Sequence, residues 1–184
     1  MKNIEGLPED TRAIQERYRG WANDLVKQDL QENNNGFSVL MMQLAHDFNI
    51  GTVVRNGNSF GMKNFFYYGP KKKWDRRSSI GTYLYSVIDH LKEFDQIIAL
   101  KEKYCFVALE QSDKSVPINT FDWNICGDKE PLIIIGEEGC GLSEEMLAIC
   151  DHVIEIPSFG SVRSLNAGCA SSIAMYDYIA KQKL

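Results

Sequence analysis

The chain has 184 residues, 44% of them hydrophobic and 24% charged, with a formal net charge of −5. That length suits one domain with an ordinary core, and that hydrophobic content excludes disorder. The acidity excludes a basic nucleic-acid coat over the whole surface, and no apolar run approaches the ~20 residues that span a bilayer. The opening MKNIEGLPEDTRAIQERYRGW is too polar for the apolar core of a secretory signal. The five cysteines, Cys105, Cys126, Cys140, Cys150 and Cys169, form neither a CxxC nor a Cys–His pattern. They read as reduced thiols of a cytoplasmic protein, with no disulfide frame and no metal site.

In chain order, residues 8 to 30 are expected to form one helix. Pro8, Glu9 and Asp10 suit a first turn, and Ile14, Tyr18, Trp21 and Leu25 recur as an apolar stripe. Residues 32 to 36, ENNNG, read as a connector to the main unit, 37–184. Strands are then expected at Phe37 to Leu44, Asn64 to Tyr68, Ile97 to Leu100, Tyr104 to Leu109, Leu132 to Ile135 and Val153 to Ile156. Helices are expected at Gly51 to Phe60, Tyr83 to Phe94, Glu144 to about Cys150 under a Ser143 cap, and Ser164 to Lys181. Strand and helix alternate and the strands are apolar throughout, so the class is α/β, a parallel sheet with helices on both faces.

Three segments are chemically distinctive. Asn49-Ile50-Gly51-Thr52-Val53-Val54-Arg55 puts an amide at a helix start and a guanidinium almost two turns along. Alone it reads as a cap and a surface arginine. Leu132 to Ser143 runs an apolar strand into a loop holding Gly136, Glu137, Glu138, Gly139 and Gly141. In an open α/β sheet, ligands sit beyond the carboxyl ends of strands. This loop is not GxGxxG and lacks the Lys-Ser/Thr of a P-loop, and its two acids would repel a polyphosphate. A plain strand-to-helix turn competes evenly with a ligand loop. Ile156-Pro157 followed by a Gly/Ser loop and Ser164-Leu165-Asn166 opens the last helix among small residues, which also suits close packing alone.

Together and in this order the three segments carry N-x-G-x-x-x-R, G-x-E-x-x-G-L and I-P-x(6)-S-L-N. The chain thereby resembles the SpoU/TrmH branch of the SPOUT methyltransferases over residues 49 to about 180. The resemblance implies a C-terminal trefoil knot, a homodimer, and S-adenosylmethionine as the cofactor. It also implies methylation of the ribose 2′-hydroxyl of RNA, with tRNA favoured over rRNA for a compact chain. Carried over by position, Arg55, Asn49, Glu138 and Asn166 are the catalytic set. Leu109, Gly136, Ile156, Ser164 and Leu165 are the cofactor contacts, Gly136 because it has no side chain to block the ligand. A non-catalytic RNA-binding or assembly factor that retains the fold is the alternative. A Rossmann-type nucleotide enzyme is disfavoured by the missing GxGxxG.

Residues 70 to 79 carry Lys71, Lys72, Lys73, Arg76 and Arg77 against one acid, Asp75, a net of +4 that leaves −9 on the rest. Cations there can neutralise phosphates, and Trp74 offers a ring for stacking. This run is therefore expected to contact RNA, although charge runs are often only solvated loops. The acidity elsewhere points to help in RNA capture from the dimer surface or an accessory protein.

Overall fold

The computed structural model describes residues 10–42, 48–71 and 73–184. Among the described residues, seven strands form one parallel sheet: β1 (Ser38–Met42), β2 (Phe65–Tyr68), β3 (Ile88–Leu91), β4 (Tyr104–Leu109), β5 (Val116–Pro117), β6 (Glu130–Ile135) and β7 (His152–Glu155). Their order is β3-β2-β1-β6-β4-β7-β5. Five α-helices among the described residues accompany them: α1 (Asn23–Glu32), α2 (Phe48–Ser59), α3 (Phe94–Leu100), α4 (Glu144–Ile149) and α5 (Ala167–Gln182). The three central strands are buried on both faces, which is why they read as unbroken apolar runs. Side chains alternate between two cores. Val39, Met41, Val107, Ile133 and Ile135 share one with α2 and α5, and Leu40, Phe106, Ala108, Leu132 and Ile134 share the other with α4.

The structure corrects several elements expected from sequence. Residues 8 to 30 are not one helix; Pro8 and Glu9 lie outside the described residues. A short 3₁₀ turn, Glu16–Tyr18, is separated from α1 by Gly20, whose φ of +78° ends any helix. Asp10 does not open a helix but folds the segment back. Its carboxylate accepts from Arg12 Nε at 2.8 Å and from the Gly20 N–H at 3.0 Å, and these bonds hold it well below the usual carboxylate range. The break rotates the stripe, so Tyr18 packs with Val26 and Tyr85 while Trp21 and Leu25 are exposed.

The helix expected at Tyr83 to Phe94 is a 3₁₀ turn at Thr82–Leu84 followed by β3, paired with β2. The strand expected at Ile97 to Leu100 is part of α3, started by a capping box between Glu93 and Gln96. The first strand ends at Met42 as described, and Gln43 and Leu44 of the expected span lie outside the described residues. The last helix begins at Ala167, three residues later than expected, with Asn166 as its cap. The edge strand β5 was not foreseen, being only Val116–Pro117 on the flank of β7.

Candidate active site

The loops leaving the carboxyl ends of β4, β6 and β7 meet the start of α5 around a cleft of about 260 Å³. Leu109, Glu110 and Gln111 enter from β4, Ile135 to Gly141 from β6, and Glu155, Ile156 and Ser158 from β7. Ser164, Leu165, Ala167 and Ala170 close it. All five positions expected to meet a cofactor, Leu109, Gly136, Ile156, Ser164 and Leu165, line this one cleft. Its floor and walls offer Leu109, Ile135, Ile156 and Leu165 as apolar surface and Glu110, Glu137, Glu138 and Glu155 as acids, with no lysine or arginine in the lining among the described residues. Such a cleft favours a flat apolar body bearing positive charge and disfavours a polyphosphate.

The loop after β6 is closed on itself. The Glu137 N–H donates to the Gly141 carbonyl at 3.2 Å, and the Gly141 N–H to the Glu137 carbonyl at 2.9 Å. A Cβ at position 136 would lie 2.5 Å from the Gly141 carbonyl carbon. Gly136 is therefore required by the loop's own closure, a different reason from the open approach to a ligand expected from sequence. Glu110, which sequence reasoning missed, braces this loop. One carboxylate oxygen accepts from the Leu142 N–H at 2.8 Å and the other from the Gln111 N–H at 3.0 Å. Its signal was its position, the first acid beyond an apolar strand's carboxyl end.

Beside the cleft, three residues from the three motifs lock together. Asn49 Nδ2 donates to Glu138 Oε2 at 2.8 Å. Asn166 Nδ2 reaches both Glu138 Oε1 and Asn49 Oδ1, each at 3.1 Å. The opposite end of the same amide caps α5, with Asn166 Oδ1 accepting from the Gly168 N–H at 2.9 Å and the Cys169 N–H at 3.3 Å. Asn49 is buried, so its donor depends on Glu138. Gly168 lets α5 approach α2, because a Cβ there would sit 2.8 Å from Thr52 Cγ2.

Arg55, the fourth member expected in this set, is not brought to the others. It is exposed, and six residues of helix place it about 9 Å along α2 from Asn49 and on another face. It lies outside the cleft lining, and among the described residues it has no ion-pair partner.

The basic run lies against α2. A Cβ on Gly51 would fall on Ser78 Oγ and 2.9 Å from the Ser79 backbone nitrogen, so only glycine admits the run at this distance. Lys71, Lys73, Arg76 and Arg77 are exposed, and Lys72 lies outside the described residues. Arg77 is tied to Asp75 at 2.5 Å, which pulls that carboxyl down to about 2. Arg76 lies 4.7 Å over the Tyr83 ring. Trp74 is half-buried and meets Tyr83 edge-on at 6.3 Å, so part of its ring is already committed to packing.

Comparison with known proteins gives a consistent neighbourhood. The SpoU rRNA Methylase family matches residues 36–176. A tRNA (guanosine(18)-2′-O)-methyltransferase of Aquifex aeolicus (strain VF5) is 24% identical over 157 residues, 83% of this chain and 72% of that protein. A 23S rRNA (uridine(2479)-2′-O)-methyltransferase of Streptomyces viridochromogenes is 27% identical over 173 residues, 88% of this chain and 58% of that protein. The crystal structure of the SpoU methyltransferase AviRb from Streptomyces viridochromogenes, in complex with the cofactor AdoMet, matches with a TM-score of 0.70 at 24% identity. That match covers 87% of this chain and 62% of AviRb.

Proposed function

The chain belongs to the SpoU rRNA Methylase family, and from that premise we propose that it methylates the ribose 2′-hydroxyl of a structured RNA, with tRNA favoured, using S-adenosylmethionine. The observation that carries the reading is the junction of all three motifs at one cleft, through Asn49, Glu138 and Asn166. The cleft's chemistry fits the cofactor: apolar Leu109, Ile156 and Leu165 suit an adenine face, and its acids offset a sulfonium and an ammonium. When bound, S-adenosylmethionine supplies a methyl group activated by positive sulfur.

The chain's own residues then divide the work. Glu110 and the Glu137–Gly141 closure hold the cleft wall in a fixed shape before any ligand arrives. The Asn49–Glu138–Asn166 lock fixes the start of α2 against the start of α5. Arg55 presents a planar fork of N–H donors and no acceptor. It therefore acts by orienting ribose and phosphate and by stabilising the alkoxide that develops as the 2′-hydroxyl gives its proton to solvent water. Alignment of this kind supplies much of a group-transfer barrier.

Arg55 stands outside its own chain's cleft, and a homodimer that brings a second copy close belongs to the same reading. Exposed Phe159, Val162, Leu165, Ile173 and Tyr176 supply apolar surface for it on the C-terminal segment. A trefoil knot also belongs to this reading, supported by the late strand β7 lying between the earlier β4 and β5. Arg55→Ala and Arg55→Lys test the reading. Both should bind S-adenosylmethionine as wild type does, and both should lose most methyl transfer to RNA. Full turnover by Arg55→Lys would exclude the role given to the planar guanidinium.

A further inference from the structure

The turn after the basic run contains a conformational anomaly. Ile80 has φ +46° and ψ +45°, and among the described residues it is the one non-glycine residue with positive φ. For a β-branched residue this backbone is a genuine outlier. Its side chain is not hidden to compensate, being 56% exposed. Gly81 follows immediately, also left-handed at φ +83°. Glycine would occupy position 80 without the strain, so the turn geometry gives no reason for isoleucine there.

The surroundings hold Ile80 where it is. Ser79 is fully buried under Gly51 of α2, and its hydroxyl donates to the Arg76 carbonyl at 2.6 Å. Thr82 Oγ1 donates to the Ser79 carbonyl at 2.7 Å. The Ile80 N–H donates to the Arg77 carbonyl at 3.2 Å, and Asn58 Nδ2 of α2 reaches Ser86 Oγ at 3.3 Å. The segment is thus fastened to α2 at positions 51 and 58. Arg55 stands between those positions on the same helical face, one turn from each.

We propose that Ile80 is an apolar wedge in the RNA-contacting surface, meeting an unstacked nucleobase while Lys71, Lys73 and Arg76 take flanking phosphates. Strain of this kind persists where the surrounding structure over-determines it, and it clusters at ligand contacts. Charge decides the occupant. Among the described residues the exposed Lys71, Lys73 and Arg76 have no ion-pair partner, and a polyanion supplies one to each. The inference rests on the methyltransferase reading only for the class of ligand, and it is read by affinity, which does not depend on turnover.

The test compares wild type with Ile80→Gly and Ile80→Val, using fluorescently labelled tRNA transcript at low and moderate salt. Ile80→Gly should keep a melting temperature at or above wild type, because it relieves the left-handed strain, and should bind S-adenosylmethionine unchanged. Its RNA affinity should fall roughly tenfold, the low end of what burial of an isoleucine side chain contributes. Ile80→Val, one methylene smaller, should hold affinity within about fourfold of wild type. Equal RNA affinity of Ile80→Gly and wild type at both salts would overturn the proposal. So would a shift of Ile80→Gly toward monomer with RNA affinity intact, which would make a second copy the occupant. If Ile80→Gly is less stable than wild type, the same comparison is made with Ile80→Asn, since asparagine tolerates left-handed backbone; equal affinity there is equally decisive. Absence of methyl transfer by a wild type that binds RNA counts against the enzymatic reading alone.

Discussion

Asn166 is asked to do two jobs with one amide, and Asn166→Asp separates them. As a helix cap, aspartate is as good as asparagine and favours the positive end of α5. If capping were its whole role, the variant would match or exceed wild-type stability. The structure predicts the reverse. The bonds from Nδ2 to Glu138 and to Asn49 disappear, each worth about 0.5–1.5 kcal/mol net. A new carboxylate then faces Glu138, where the donor stood at 3.1 Å. Two like charges at such a distance repel by about 1 kcal/mol in a water-like dielectric, the appropriate limit because both residues are exposed. The total, about 2–4 kcal/mol, should lower the melting temperature by roughly 4–16 °C for a chain of this size. The pH dependence gives a second signature. Crowded carboxylates have a raised folded-state pKa, so the folded state binds more protons than the unfolded one as pH falls. The deficit should be fully present near pH 8 and shrink toward about pH 5. Thermal unfolding at both pH values reads it. An Asn166→Asp melting temperature equal to wild type at about pH 8, with no change in the difference on acidification, would refute the lock.

Three further outcomes follow from particular contacts. Gly51→Ala should destabilise by about 1–2 kcal/mol despite a helix-propensity gain of about 1, because its Cβ meets the Ser79 backbone; a rise in melting temperature would contradict this packing. Maleimide should label exposed Cys140 and Cys169 first, while buried Cys105 and Cys126 and the Cys150 thiol, pushed up to about 12 by burial, lag. S-Adenosylmethionine should slow labelling of Cys140, which lines the cleft, and an unchanged Cys140 rate at saturating cofactor would place the ligand elsewhere. Burial pushes the Asp151 carboxyl up, but Lys101 at 2.7 Å and the Phe106 N–H at 2.8 Å outweigh it and hold it below its ordinary value. Its stabilisation is therefore present above the unfolded value near 4 and lost as pH falls through the lower folded value. Asp151→Asn should be less stable than wild type at neutral pH and converge with it in acid; a constant gap across that range would exclude the linkage.

The sheet's centre was legible because β4 and β6 are buried on both faces and so carry no polar alternation to confuse the reading. Ser143 announced α4 through its side chain, which does accept from the Met146 N–H at 3.1 Å. The edges were harder. Tyr83, Leu84, Val87, Ile88 and Leu91 fall at helical spacing, yet pairing with β2 makes 88–91 an edge strand with only Leu91 buried. The run Ile97 to Leu100 was too short to distinguish strand from helix by periodicity, and Glu93 with Gln96 decided it. The positions facing the cleft were legible through their motifs. The lock was not, because the Asn166–Asn49 bond joins residues 117 apart in sequence. Nor was the need for Gly51, since the segment it admits lies beyond the rest of α2 and all of β2 in the chain.

The central claim is methyl transfer to ribose, and nucleoside analysis tests it most directly. Wild type and Arg55→Ala would be incubated with methyl-labelled S-adenosylmethionine and unmodified tRNA and rRNA, the RNA digested, and the labelled nucleosides identified. Wild type should give a 2′-O-methylnucleoside, with tRNA the better substrate, and Arg55→Ala only a trace. Label on a base, or no label in either RNA from a protein that binds the cofactor, would contradict the claim.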